Sequence, residues 1–267
     1  THALKVLHIT TRAIRERLLQ EGRIQSRISH PNIVSVTDVV TVQGSPGLVM
    51  EYVEGPSLRQ LLSRKRLNMA QVDMVARGLM EGISAAHQAG MIHRDLKPAN
   101  VLMAITPTGL VPKIADFGLA KHVESIQPVM ATQTGIALGT PAFMAPEQIR
   151  DAKTADHRAD LFSLGVILYE MVTGNLPFKG DSPLDVFQQI VSGSYEPPEN
   201  LAPQLPVHKI EAIKKALQTD RDMRAENCTS LFKSWTGESP AGEIESGPWE
   251  TGVIDVARSL ISDQLSE

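Results

Sequence analysis

The chain has 267 residues, 42% of them hydrophobic and 21% charged, with a net charge of −4. That is the balance of an ordinary globular protein long enough for one large domain or two packed lobes, and it argues against a surface built to grip nucleic-acid phosphates or an anionic membrane. Cys228 is the sole cysteine, which excludes an internal disulfide and any two-cysteine metal motif and fits a reducing compartment.

In chain order, ALKVLHI (3–9) reads as a strand. A charged helical stretch follows, with apolar Ile14, Leu18 and Ile24 among charges such as Arg15, Glu16 and Arg17, and Pro31 in SHPNIV (29–34) ends it. SVTDVVTV (35–42) and GLVMEYV (47–53) read as strands joined by a turn holding Gly44, Ser45, Pro46 and Gly47. From about residue 57 the pattern turns helical. Asn68 is the expected N-cap of a helix that aligns Val72, Val75, Ala76, Leu79, Ile83 and Ala86, with Gly90 just past its end.

Strand-like fragments flank a polar cluster at 91–118, and a long irregular segment runs to about 147. The longest apolar run, LFSLGVILYEMV (161–172), carries Glu170 and is too short to cross a membrane, so a buried core helix over 158–173 is expected. Further helices run to about 233. The coarse picture is two lobes of different character, 1–54 and 55–233, joined near residue 54, with a tail at 234–267. In that tail Glu238, Glu243, Glu245, Glu250, Asp255, Asp263 and Glu267 face Arg258 alone. Its Ser, Gly and Pro up to about Gly252 read as a flexible linker. Val253, Ala257, Leu260, Ile261 and Leu265 then fall at helical spacing, giving either a short docking helix or a frayed terminus.

The chemistry concentrates in two stretches. MIHRDLKPANVLM (91–103) sets Asp95 and Asn100 five apart, with Lys97 between them and Pro98 fixing the backbone. A carboxylate, a cation and an amide on one loop suit a reaction that orients a hydroxyl, neutralises phosphate charge and holds a divalent metal. KIADFGLA (113–120) puts Asp116 at the end of an apolar strand, before Phe117 and the permissive Gly118. Each stretch alone is also compatible with an ordinary polar loop.

Together, HRDLKPAN, DFG and APE (145–147) occur in the order of the protein-kinase signature set, and the chain resembles a eukaryotic-like serine/threonine protein kinase domain over residues 2 to about 233. TQTGIALGTPAFMAPEQ and DLFSLGVILYEMVTG are most similar to bacterial members. The resemblance implies an α+β, two-lobed kinase fold with a small β-rich N-lobe, a larger helical C-lobe, and ATP and Mg²⁺ as cofactors. It gives Asp95 the role of orienting the substrate hydroxyl and accepting its proton, Lys97 that of stabilising the transferring phosphoryl group, and Asn100 and Asp116 that of holding metal ions.

By the same resemblance Lys5, in HALK, contacts the ATP phosphates and pairs with Glu21. Ala3 and Leu102 flank the adenine, Met50 precedes the hinge, and the backbone of Glu51 to Val53 meets the adenine edge. Glu147 and Arg224 match a buried ion pair, Asp160 steadies the catalytic loop, and His93 and Phe117 stack between the lobes, with Gly118 following. Arg94 is the expected clamp for a phosphate on Thr132 or Thr134, which are expected autophosphorylation sites, while Thr140 is expected to bond Asp95 and Lys97.

The sequence departs from the family in two places. The loop G-x-G-x-x-G-x-V, expected upstream of Lys5, is absent, and the small sheet lacks the family's first two strands. The start at Thr1 rather than Met makes a piece of a longer, N-terminally truncated chain the expectation. Gln25 stands where the family places an apolar side chain, and its amide needs a hydrogen-bond partner. The expected activity is phosphoryl transfer from ATP to serine or threonine of protein substrates, with self-association for trans-autophosphorylation. The alternative is a pseudokinase or inactive fragment serving as a binding or scaffold module. No nucleic acid or membrane span is expected, and the expected location is cytoplasmic, including as the cytoplasmic domain of a membrane-anchored protein.

Overall fold

The computed structural model describes residues 1–6, 16, 20, 22–117, 141–151, 154–237 and 249–264. Strands β1 (His2–Val6), β2 (Val36–Val42) and β3 (Ser45–Glu51) form an antiparallel sheet in the order β1-β3-β2. Before β2, residues 22–25 are helical, and the chain leaves that helix ahead of Pro31.

The β2–β3 connection is tighter than its composition suggests. Gln43 and Gly44, with φ of +50° and +80°, make the whole turn, while Ser45, Pro46 and Gly47 belong to β3. Positive φ at both central residues gives the turn a twist that matches the strands it joins. Val42 faces Ser45 across the turn, so Thr41 and Pro46 form the next pair, where an antiparallel ladder exchanges no N–H···O bond. A proline is tolerated there because its missing N–H is not called upon.

The larger lobe is helical: α1 (Leu58–Arg64), α2 (Met69–Gln88), α3 (Pro146–Arg150), α4 (Arg158–Thr173), α5 (Pro183–Ser192), α6 (Pro198–Leu201), α7 (Val207–Ala216), α8 (Cys228–Thr236) and α9 (Thr251–Gln264). A hairpin of β4 (Val101–Thr106) and β5 (Gly109–Ile114) lies between α2 and α3 in sequence. Asn68 caps α2 by accepting from the Gln71 N–H, and the Gln71 side chain accepts from the Asn68 N–H in return, each at 3.0 Å. The apolar face read from the sequence is the buried face, and Gly90 follows the helix with φ +76°.

Helix α4 is buried nearly all round, so it shows no strong amphipathic face and sits at the centre of the lobe. Helices α2 and α7 both pack on it. Helix α8, expected to stop near 233, continues to Thr236 because Trp235 is wholly buried and its indole N–H donates to Asp73 at 2.8 Å.

Backbone hydrogen bonds join the lobes at two places among the described residues. The Val34 N–H donates to the Ile114 carbonyl at 2.9 Å and the Ile114 N–H to Asn32 at 2.8 Å, stitching the segment before β2 to β5. The Met103 and Ile105 N–H groups donate to the carbonyls of Pro56 and Glu54, at 2.8 and 2.9 Å, tying β4 to the connection between lobes. Of the tail read as linker up to about Gly252, residues 238–248 lie outside the described residues; from 249 the chain carries the buried Trp249 and a helix from Thr251 whose Val253, Ala257 and Leu260 are buried. Among the described residues no helix is long and apolar enough to cross a membrane.

Candidate active site

The segment between α2 and β4 is held by its backbone. The N–H groups of His93 and Arg94 donate to the two carboxylate oxygens of Asp160, each at 2.8 Å, and the Arg94 carbonyl accepts from the Gln148 side chain at 2.8 Å. Arg94 has φ +64°, a left-handed conformation that a non-glycine residue keeps only when its surroundings hold it. Asp160 lies in the first turn of α4 with its side chain fully buried, so α4 positions the loop from beneath. Burial would raise the Asp160 carboxyl, but the hydrogen bonds it accepts from His87 and from the His93 backbone N–H hold it below the usual carboxylate range.

On this fixed backbone the polar side chains of the loop converge. Lys97 Nζ lies 2.8 Å from Asp95 Oδ2. Asn100 Nδ2 donates to the Asp95 carbonyl at 2.8 Å and to its Oδ2 at 3.1 Å. Both carboxylate and lysine stay about a quarter exposed, at 27% and 23%, which leaves them accessible to solvent. The 3₁₀ turn Pro98–Asn100 leads directly into β4, and the Asn100 carbonyl accepts from the Ala115 N–H at 2.9 Å. That bond ties the loop to the strand end carrying Asp116.

Asp116 has φ +61°, and this turn sends its carboxylate to the Lys5 ammonium on β1. Lys5 faces Leu48 of β3 in the sheet register, so the pair bridges the small sheet and the end of β5. Phe117 turns the other way into the core, its ring centroid 4.7 Å from that of His93. His93 is completely buried. Its Nδ1 accepts from the Asp95 N–H at 3.3 Å, so Nε2 carries the proton, which it donates to the Ala115 carbonyl at 2.9 Å. Burial lowers its pKa and favours this neutral tautomer.

Around this centre, Ala3 faces Met50 across β1 and β3, and Leu102 lies half-buried on β4. Neither the N–H nor the carbonyl of Val53 takes part in a backbone hydrogen bond among the described residues. Glu51 ends β3, and its carboxylate accepts from the Ser35 N–H at 2.9 Å and from Lys113 Nζ at 2.8 Å. Glu147 and Arg224 form a buried bidentate pair at 2.7 and 2.8 Å, with the guanidinium 5.1 Å above the Phe162 ring. Glu21, Gly118, Thr132, Thr134 and Thr140 lie outside the described residues; among the described residues Lys5 pairs with Asp116.

The donor set fits a hard divalent cation in part. Asn100 uses its amide nitrogen on Asp95, and no hydrogen bond among the described residues occupies its oxygen. With the Asp116 carboxylate this supplies oxygen ligands suited to Mg²⁺, which takes the rest of its octahedron from water and phosphate. Among the described residues no group of three or more His, Cys, Asp or Glu is placed to hold a metal unaided.

Lys113, His87 and Gln148 escaped the sequence reading. Each acts through a partner distant in the chain, and no local spacing signals such a pairing.

A family model described as protein kinase domain matches residues 1–236. Among curated relatives, serine/threonine-protein kinase pkn2 of Myxococcus xanthus is 36% identical over 234 residues, covering 86% of this chain and 28% of that protein. PknL of Mycobacterium tuberculosis is 43% identical over 174 residues, covering 65% and 42%. The chain thus spans less than half the length of these relatives. Among solved structures, Rad53 in complex with AMP-PNP superposes with a TM-score of 0.69 at 26% identity, covering 86% of this chain and 56% of that one. The PknI kinase domain of Mycobacterium tuberculosis gives 0.67 at 24% identity over 89% and 86%, a likeness of fold. With this two-lobed fold and these residues gathered at one site, the chain belongs to the protein kinase domain family, and pkn2 and PknL, to which it is similar, are bacterial serine/threonine-protein kinases.

Proposed function

We propose that the protein transfers the γ-phosphoryl group of ATP to serine or threonine hydroxyls of protein substrates, with Mg²⁺ as the metal. The observation that carries this reading is the convergence of Asp95, Lys97 and Asn100 on one fixed loop beside the Lys5–Asp116 pair. Asp95 orients the substrate hydroxyl and takes its proton as that oxygen forms the new bond to γ-phosphorus and ADP departs. Lys97 faces the charge that develops on the transferring group, and Lys5 the α and β phosphates. Asn100 and Asp116 supply the metal's protein ligands, and the metal when bound neutralises phosphate charge. Ala3, Met50 and Leu102 enclose the adenine, and the backbone from Glu51 to Val53 meets its polar edge.

The scaffold alternative is disfavoured because the polar groups that transfer requires are present and turned toward one another. For regulation, Arg94 is the candidate clamp for phosphate on Thr132 or Thr134: its backbone is held on two sides, and its Nε lacks a hydrogen-bond partner among the described residues. Phosphorylation in trans requires transient self-association, and the ATP requirement suits a cytoplasmic location. The domain division follows the same reading, with 1–54 as N-lobe and hinge, the helical lobe from 55, and a tail beyond it.

The test is transfer measured with Mg²⁺·ATP on this chain and on one extended upstream, each with and without Asp95→Asn. Loss of about 10²–10⁴-fold in transfer with nucleotide binding retained is expected for Asp95→Asn. Equal activity of the Asp95→Asn form would overturn the assignment, and phosphate found never on Thr132 or Thr134 would overturn the regulatory part.

A further inference from the structure

Trp249 and α9 lie beyond residue 236, where the match to the kinase family model ends, yet they are packed into the body of the larger lobe. Val253, Ala257 and Leu260 form a buried stripe at helical spacing, and α9 packs on α1 and β4. Ahead of the helix, the Trp249 indole covers Gly109 in the β4–β5 hairpin. A Cβ at Gly109 would lie 1.9 Å from Trp249 Cδ1, and the backbone there has φ +125°. Glycine is required by both the space and the conformation. Glu250 Oε1 accepts from the Asn68 side chain at 2.9 Å, linking the entry of α9 to the start of α2.

What α9 covers gives it a function. β4 holds the connection between the lobes through Met103 N–H to Pro56 and Ile105 N–H to Glu54, and it carries Leu102. Helix α1 begins at the end of the same connection, capped by Ser57. The two elements beneath α9 are therefore the ones that hold the chain between the lobes.

We infer that Trp249 and α9 brace the interlobe connection, and through β4 are a positioning element for the nucleotide. The second half rests on the kinase reading of the cleft, whereas the first does not. Truncating Trp249 removes the contact on the β4–β5 hairpin while leaving the loop 93–100 and its hydrogen bonds to Asp160 in place. The effect should therefore be local to β4 and to nucleotide affinity.

The experiment compares the full chain with Trp249→Ala and Trp249→Phe. Amide hydrogen exchange is followed at Met103 and Ile105, with the amides of α4 as internal reference, and affinity for AMP-PNP with Mg²⁺ is measured in parallel. For Trp249→Ala, exchange at Met103 and Ile105 should rise on the order of tenfold with α4 unchanged, and affinity should fall by roughly threefold to tenfold. Trp249→Phe, which keeps an aromatic ring, should lie between. Unchanged exchange at β4 would overturn the brace, as would faster exchange throughout α4, which would make α9 a general stabiliser. Faster exchange at β4 with unaltered affinity would overturn the link to the nucleotide. Absence of binding by the unmodified chain would count against the kinase reading and remove that link, while the exchange data would still decide the brace.

Discussion

Lys113 Nζ sits 2.8 and 3.1 Å from the two carboxylate oxygens of Glu51, joining the last residue of β3 to β5 across the lobe boundary. Both side chains are partly shielded, at 19% and 30% exposure, so the pair is worth more than a fully solvated one. Because Glu51 also accepts from the Ser35 N–H, loss of the ammonium should loosen the start of the hinge. Lys113→Met and Glu51→Gln should each weaken nucleotide binding about threefold to tenfold, with a coupling of roughly 1 kcal/mol in the double variant. Strictly additive effects on the dissociation constant would show that the pair does not act as a unit.

The buried Glu147–Arg224 pair concerns stability rather than chemistry. Arg224 also donates to the carbonyls of Gln218 and Arg158, at 2.7 and 3.0 Å, so removing Glu147 strands a guanidinium that is already fully enclosed. Glu147→Ala or Arg224→Ala should cost about 3–5 kcal/mol in denaturant unfolding, and the double variant less than the sum. A loss below about 1 kcal/mol for either would contradict this account.

Gln25 is 1% exposed, and its Oε1 has no hydrogen-bond partner among the described residues. A buried acceptor left unpaired costs about 1–3 kcal/mol, so Gln25→Leu should raise stability by on the order of 1 kcal/mol. It should also raise transfer activity in a chain extended upstream, by steadying the helix that ends at residue 25. Unchanged or lower activity in that chain would count against the idea.

His93 carries a pH dependence whose sign follows from its burial. Its pKa is lowered in the folded state, so as pH falls below about 6.5 the unfolded chain takes up a proton that the folded chain refuses. The stability it contributes is complete above that value and declines below it, by at most about 1.4 kcal/mol per pH unit, until the folded pKa is reached. Protonation would also turn Nδ1 into a donor facing the Asp95 N–H. Urea unfolding between pH 7.5 and 5 should show this slope, and His93→Phe should flatten it. An identical slope in the variant would assign the effect to other groups.

The order of HRDLKPAN, DFG and APE was enough to imply the family and the two-lobed fold, because these motifs gather the reacting groups into short segments with fixed internal spacing. Local rules also served well where one element settles its own geometry. The Asn68 cap and the buried core helix over 158–173 are read correctly because capping and burial act within a few turns. The β2–β3 turn was misjudged because Ser45, Pro46 and Gly47 have turn-like composition, while the register with Thr41 and Val42 decides that they extend the strand.

What composition and spacing could not decide were contacts between residues far apart in the chain. The positive φ of Arg94 and Asp116 is maintained by surroundings assembled from several segments, among them Asp160, Gln148 and Lys5. The tail shows the same division. Its helical spacing was visible, but docking against fraying depended on whether β4 and α1 offered an apolar surface, with Gly109 leaving room for Trp249. A helix of fourteen residues is marginal alone, and burial against partners is what stabilises it. Residue types and their order thus determined the chemistry available to this chain, and long-range packing alone decided which groups meet and what holds them there.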